Sequence, residues 1–281
     1  MQATVMGLLA ETAVHPGSGR QDGLLDLPVI REAVTEYPLI PGSALKGALR
    51  EKLVLEHGDV KNPPAWIDQI FGTKEEAGGV GITDARLLLL PVRSLSGHYR
   101  WVTCPYALER LQRDLSLTGV SLRIPEVDIP REQAITARPE SEAVFLEEFT
   151  YIPEQDEPLI REIIGCIAPL IRHDSVRKRL PGQLVLLNND EFSHFARFSL
   201  PIVTKNQLDL ETKTSRNVWN EETIPPDTLM YSLLIPRPGR EDSLKKLTEE
   251  LARNPYVQIG GNETTGQGWM SASLPKGWDA A

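Results

Sequence analysis

Short continuous apolar runs alternate along this chain with stripes at helical spacing, and polar or glycine-rich stretches separate them. ATVMGLLAET, residues 3–12, reads as a first strand buried on both faces. Leu45, Ala48, Leu49 and Leu53 then recur at helical spacing and predict a helix over 44–57. Asn62-Pro63-Pro64 ends that unit, and AWIDQIFG adds a short helical piece. VGITDARLLLLPV, residues 80–92, reads as a second buried strand, with Asp84 and Arg86 as a charged pair at its edge. Tyr106, Leu108, Leu111 and Leu115 predict an amphipathic helix over 103–115.

Residues 116–158 hold five prolines and an acidic run at 140–148, and read as an irregular peripheral insertion. PLIREIIGCIAPLIRHDSVRKRL reads as one helix ending in Arg172, Arg177, Lys178 and Arg179, which either complement the helix dipole or meet phosphate. Asn188 and Asp190 ahead of Glu191 and Phe192 mark a capped helix start. Extended patterns at 196–204 and 228–236 bracket a polar excursion too long for a tight turn. There Lys205, Lys213 and Arg216 are interleaved with Leu208, Leu210, Val218 and Trp219, the composition of a projecting basic hairpin able to wedge. An amphipathic helix at 242–254 precedes a last strand broken by Gly260, Gly261, Gly266 and Gly268, where close backbone approach or a bulge is expected.

Without the excursions the order is strand, helix, strand, strand, helix, strand, an α+β fold with a ferredoxin-like, RRM-like core. We read a single domain over 1–281, its core at about 1–60, 78–92, 196–204 and 228–273. The insertion spans about 93–195 and the hairpin about 201–227.

The richest chemistry lies between Val14 and Arg50. HPGSGRQDGLLD, from His15 to Asp26, holds three glycines and ends in an acid; it belongs to a loop that runs on to about Tyr37, and loops of that length are usually functional or mobile. Pro41, Gly42 and Ser43 form a turn, with Ser43 the expected N-cap of a helix beginning at Ala44. Lys46 and Arg50 lie four apart on one face of its first turns. Cations there oppose the helix dipole, which suits an external anion between them; an ordinary solvated face is the alternative.

Net charge is −9, with 30 Lys and Arg against 39 Asp and Glu, so the surface is not a uniformly basic coat, although local basic grooves remain compatible with it. Cys104 and Cys166 lie far apart without ligand spacing, so neither a disulfide framework nor a zinc site is expected. No apolar run has membrane-spanning length, and a cytoplasmic protein with no membrane partner is expected. Walker A, HExxH and GxSxG patterns are absent.

Four motifs in order, IPGSALKGALR, FGTKEEAGGVGITDARLLLLPVRSLSG with the following WVTCPYAL, and IGGNETTGQG, resemble the RAMP superfamily. More narrowly they resemble the backbone subunits of type III-B (Cmr-type) CRISPR effector complexes, from Thr12 to Met270 and most weakly at 116–158. The resemblance implies RRM-like subunits that polymerise in a helical filament along a CRISPR guide RNA, with other Cmr-type subunits and a target RNA as partners. It implies a thumb at 201–227 that enters the guide–target duplex. It places Asp26 as the acid that cleaves target RNA with Mg²⁺ or Mn²⁺, and as that metal's ligand. His15 matches the histidine opening the loop, as an acid or base or as a buttress. Ser43, Lys46, Arg50, the hairpin residues Lys205, Lys213, Arg216 and Trp219, and the four glycines are the implied RNA contacts. Asp22 reads as a solvated loop acid. An idle RNA-binding subunit and a metal-independent guide-processing nuclease are the alternatives within the superfamily.

Overall fold

The computed structural model describes residues 3–19, 25–58, 60–139 and 143–275. In chain order the elements begin with β1 (Thr4–Ala10), β2 (Leu39–Ile40), α1 (Gly42–His57), α2 (Ala65–Phe71), β3 (Val80–Ile82) and β4 (Ala85–Arg93). There follow β5 (Tyr99–Thr103), α3 (Pro105–Ser116), β6 (Gln133–Thr136), β7 (Val144–Leu146), β8 (Phe149–Gln155) and α4 (Glu157–Ile167). The chain continues through α5 (Asp174–Gln183), β9 (Leu184–Leu187), α6 (Asn189–Phe198), β10 (Ile202–Leu208) and β11 (Ser215–Glu222). It closes with β12 (Leu229–Pro236), α7 (Glu241–Arg253), β13 (Tyr256–Gln258) and β14 (Trp269–Ser273).

Four of these strands form the expected core. β14, β1, β12 and β4 lie side by side in that order, each antiparallel to its neighbour, with α1 and α7 as the two crossovers. This is the ferredoxin-like order, and it follows from alternation within β1. Met6, Leu8 and Ala10 face a core shared with Leu45, Leu49 and Leu53 of α1 and Leu244, Leu247 and Leu251 of α7. Each of the three α1 leucines is fully buried and contributes about 2 kcal/mol of transfer free energy.

The other face of β1 carries Val5 and Leu9, and it is covered as well. Leu108 and Leu111 of α3, Ile160 and Ile163 of α4 and Leu170 pack there. Gly7 lies between Val5 and Leu9, where a Cβ would stand 2.0 Å from the Leu170 carbonyl oxygen, so only glycine lets that turn reach the strand. The expectation of a peripheral 116–158 is therefore corrected. β6, β7 and β8 extend the sheet beyond β5 and β9, and Ile124, Ile129 and Ile135 are buried in the second core. The strands are three to seven residues long, too short for periodicity to announce them.

Four boundaries also differ from expectation. The single helix expected around 158–180 is α4, a 3-10 turn at Ala168–Leu170 and α5, because Pro169 supplies no N–H and Ile171 turns extended. Residues 196–198 complete α6, so the stretch 196–204 is not a core strand, and 202–208 is one arm of the hairpin. The 80–92 run is two strands, both paired to β12. Asp84 between them does not pair with Arg86, which binds Asp114 at 2.7 Å. The last strand is likewise two, β13 folding back on β14 around the glycines.

A buried carboxylate ties α1 to α7. Glu250 meets His57 Nε2 at 2.8 Å, Lys246 Nζ at 2.8 Å and Arg253 Nη1 at 2.9 Å. Burial pushes its carboxyl up, but hydrogen bonds from Lys246 and His57 outweigh burial and hold it below the usual glutamate range. Such a group contributes stability above the unfolded titration range and loses it as pH falls through the folded one. Glu250→Gln is expected to lower stability at neutral pH by about 1 kcal/mol, because the three cations it leaves behind are partly exposed and can be solvated instead. The gap between the two proteins should close as pH drops below the ordinary carboxylate range, which urea denaturation across a pH series would measure.

Candidate active site at the base of the hairpin

Among the described residues β10 and β11 form a two-stranded ribbon that pairs with no other strand, from Ile202↔Glu222 to Leu208↔Ser215. Ile202, Leu208, Leu210 and Val218 are all at least half exposed, with Leu210 at 84%. The ribbon is thus a projection with apolar side chains facing outward, as its composition suggested. Its cations differ in how far they are committed. Lys205 binds Glu221 at 2.8 Å, Arg216 pairs with Asp209, and Lys213 lies exposed at the tip in a left-handed conformation. Trp219, half-buried, sits opposite Lys205.

The chain between β1 and β2 crosses the ribbon's base and is stitched to β11 on both sides of Asp26. Val14 and Ile224 exchange two backbone hydrogen bonds, of 2.9 and 2.8 Å. Leu27 N donates to the Asn220 carbonyl at 3.1 Å, and Glu222 N donates to the Leu27 carbonyl at 3.0 Å. Asp26 itself is half-buried, and its Oδ2 accepts from Asn220 N at 2.8 Å. Its other oxygen takes no hydrogen bond from a described residue. Asp22 lies outside the described residues.

His15 is 8% exposed, and its Nδ1 donates to the Glu222 carbonyl at 2.7 Å. With Nδ1 committed, the imidazole fastens the loop to the ribbon two residues from where Asp26 is held. That contact is one a buttress makes, and it leaves Nε2 without a hydrogen bond to a described residue.

The glycine loop after β13 closes the other side. Gly261 N donates to the His15 carbonyl at 3.0 Å, and Gly268 N to the Ala13 carbonyl at 2.8 Å. Gly260 has φ +87°, and a Cβ there would stand 2.5 Å from His15 O, so both conformation and space require glycine. Gly266 ends the 3-10 turn Glu263–Thr265 with open space around it.

Two residues the sequence reading missed join these parts. Glu221 and Glu222 are consecutive in β11, so they point to opposite faces. Glu221, 2% exposed, accepts from Lys205 and from Asn262 of the glycine loop. Glu222, 5% exposed, accepts from Val29 N at 3.0 Å and Arg31 Nη2 at 2.6 Å. Only an acidic doublet closing a strand pattern hinted at them.

α1 is a separate place. Its N-cap is Pro41, and Gly42 N donates to Asp84 Oδ1 at 2.7 Å, which corrects the expected Ser43 cap and the start at Ala44. Ser43 is exposed in the first turn. A carboxylate from the β3–β4 connection thus occupies part of the expected anion site. Arg50 binds Asp68 of α2 at 2.8 Å, whereas Lys46 is half-buried with no ion-pair or hydrogen-bond partner among the described residues. Two of the four cations after α4 are likewise engaged: Arg177 pairs with Asp174, and Arg179 lies 5.2 Å from the Trp101 ring centre and 3.6 Å from Asp227.

Among the described residues no three His, Cys, Asp or Glu side chains cluster as a metal cage. Asp26 offers one carboxylate oxygen, a donor set that fits Mg²⁺ or Mn²⁺ held chiefly by water and phosphate. The sheet face opposite α1 and α7 is filled by α3 and α4, and the hairpin, the loop carrying Asp26 and the glycine loop meet at the sheet's rim. No helix among the described residues is long and apolar enough to cross a membrane.

Known proteins match this arrangement over nearly its whole length. The model of the RAMP superfamily matches residues 8–271. The CRISPR system Cmr endoribonuclease Cmr4 of Pyrococcus furiosus is 35% identical, covering 98% of this chain and 96% of that protein. The crystal structure of oligomeric Cmr4 from the same organism superposes with a TM-score of 0.78 at 33% identity, covering 98% of both chains. A chain of the type III-B Cmr-beta complex bound to cognate target RNA shares the fold, with a TM-score of 0.76 at 22% identity over 98% of each. A superfamily match spanning the core strands, the glycine loop and the hairpin, together with a relative alike from end to end, places this chain in the RAMP superfamily, among its Cmr4 members.

Proposed function

We propose that this chain is a backbone subunit of a type III-B CRISPR ribonucleoprotein that cleaves complementary target RNA, with Asp26 as the reacting loop's acid. The observation that carries the reading is the hydrogen bond from Asn220 N to Asp26 Oδ2. It makes the acid and the projecting ribbon one mechanical unit, so a ribbon that parts a guide–target duplex also presents the acid to the nucleotide it displaces. Full-length similarity to a protein named an endoribonuclease supports the activity. The oligomeric state named for a similar structure supports self-association, and we place copies of this chain in a filament along guide RNA beside other Cmr-type subunits.

RNA carries its own nucleophile. The 2′-hydroxyl gives its proton to solvent and its oxygen bonds to phosphorus as the P–O5′ bond breaks; O5′ takes a proton from solvent, leaving a 2′,3′-cyclic phosphate and a 5′-hydroxyl. The protein need only bring the 2′-oxygen in line and offset the charge developing on phosphate. Apolar residues on the ribbon unstack the base step, an opening that costs a few kcal/mol, and thereby allow the in-line geometry. A lone carboxylate is a poor general base at neutral pH, so Asp26 serves in charge placement. It would hold Mg²⁺ or Mn²⁺, which supplies positive charge at the phosphate when bound. His15 and the glycine loop keep the acid loop against β11.

Histidine chemistry of the metal-independent, guide-processing kind is less suited to this loop, because its imidazole is only 8% exposed. Reconstituting the complex with a complementary target tests the proposal. Cleavage that stops in EDTA and returns with Mg²⁺ is expected, and chelator-resistant cleavage would remove the metal from the scheme. Binding adds a separate expectation. Lys46→Ala should reduce the slope of log affinity against log salt by about one phosphate contact whatever the RNA sequence. Arg50→Ala should change it less, since Asp68 already neutralises that guanidinium. An unchanged slope for Lys46→Ala returns the residue to an ordinary solvated face.

A further inference from the structure

Glu222 touches the chain between β1 and β2, the acid loop, at four separate points. Its carbonyl accepts from His15 Nδ1 at 2.7 Å, and its N–H donates to the Leu27 carbonyl at 3.0 Å. Its carboxylate accepts from Val29 N at 3.0 Å and from Arg31 Nη2 at 2.6 Å. Those contacts bracket Asp26 on both sides. Arg31 is anchored in turn, donating to the Glu36 carbonyl at 2.8 Å and the Ala196 carbonyl at 2.7 Å. A charged pair with side chains 20% and 7% exposed is a costly way to hold a loop, and apolar packing would hold it as firmly. What apolar packing lacks is direction. A carboxylate that accepts from one backbone N–H and one guanidinium sets the loop's position along the strand.

We infer that Glu222, through Val29 and Arg31, is a positioning residue that sets where Asp26 stands relative to the hairpin. The inference rests on the proposed role of Asp26. Glu222 touches no RNA in this scheme; it acts by fixing the segment on which the acid is carried. Glu221 on the opposite face does the same for Lys205 and Asn262, so movement of the ribbon is transmitted to both loops.

The test uses the reconstituted complex in Mg²⁺, with wild-type, Glu222→Gln, Arg31→Lys and Asp26→Asn subunits. Single-turnover cleavage, target affinity and cut position at nucleotide resolution are measured for each. Glu222→Gln keeps an acceptor for Val29 N and removes the charge facing Arg31. Its rate per assembled complex is expected to fall about 100-fold, the scale of a misplacement near 1 Å, with target affinity unchanged and some cuts displaced from the normal site. Arg31→Lys, which keeps the charge but lacks the guanidinium fork, is expected to lose about tenfold and remains decisive if Glu222→Gln does not assemble. The inference is overturned if either assembled variant cuts at the wild-type rate and position while Asp26→Asn is inactive. It is also overturned if activity falls only in proportion to assembled complex, which is the mark of a purely structural residue. Should Asp26→Asn itself cut at full rate, the role of Asp26 falls first and this inference with it.

Discussion

A complex built only with Asp26→Asn subunits is expected to assemble, bind guide and target normally, and cleave about 10²–10³-fold more slowly, the scale for losing one electrostatic contact to a transition state. The substitution changes charge with almost no change of shape. An amide oxygen still accepts from Asn220 N, so the contact that seats the side chain on β11 persists. The loop's other attachments, through Val14, His15 and Leu27, do not involve the carboxylate at all. Loss of activity with unchanged assembly therefore reports the charge alone. Single-turnover cleavage in Mg²⁺ measures it, and an unimpaired rate would remove Asp26 from the chemistry.

Shortening the hairpin is expected to abolish regular cutting while leaving the domain folded. The structure dictates where to cut. Asn220 N holds Asp26, and Lys205 binds Glu221, so residues 218–222 and 202–206 must stay. Asn206 and Val218 are directly opposed, so residues 207–217 can be replaced by a two-residue turn such as Asn-Gly. The removed segment includes exposed Leu208 and Leu210 and contributes nothing to either core. A melting curve of the shortened subunit should thus stay within a few degrees of wild type. Without the wedge, the target strand remains stacked and its 2′-oxygen out of line, so cleavage is lost or loses its spacing with Asp26 untouched. Regular cutting by the shortened protein would show that the ribbon plays no part in alignment. Global unfolding would show instead that it belongs to the core.

Both predictions draw on features legible along the chain. The interleaving of Lys205, Lys213 and Arg216 with Leu208, Leu210 and Val218 announced an exposed ribbon, because no buried strand pair carries that pattern. The His15–Asp26 loop announced itself by length, glycine content and a closing acid. Local reading failed wherever the partner was distant. Ser43 has the chemistry of a cap, yet the acceptor at Gly42 N comes from Asp84, 42 residues on. Lys46 and Arg50 look equivalent on a helical wheel, but α2 brings Asp68 to one and nothing to the other.

Periodicity reports which residues turn away from water, and that was enough to order the four core strands and two crossover helices here. It cannot report what they turn toward. That the second sheet face is closed by α3 and α4, with Gly7 admitting the Leu170 turn, depends on packing between segments some 160 residues apart. Glu221 and Glu222 show the same limit at the site. In sequence they are two acids at a strand's end, and by default such residues are solvated. Only when the acid loop, the glycine loop and β10 converge on that end do Arg31, Val29, Lys205 and Asn262 surround them, making burial of two adjacent carboxylates affordable and placing Asp26 at the hairpin's base.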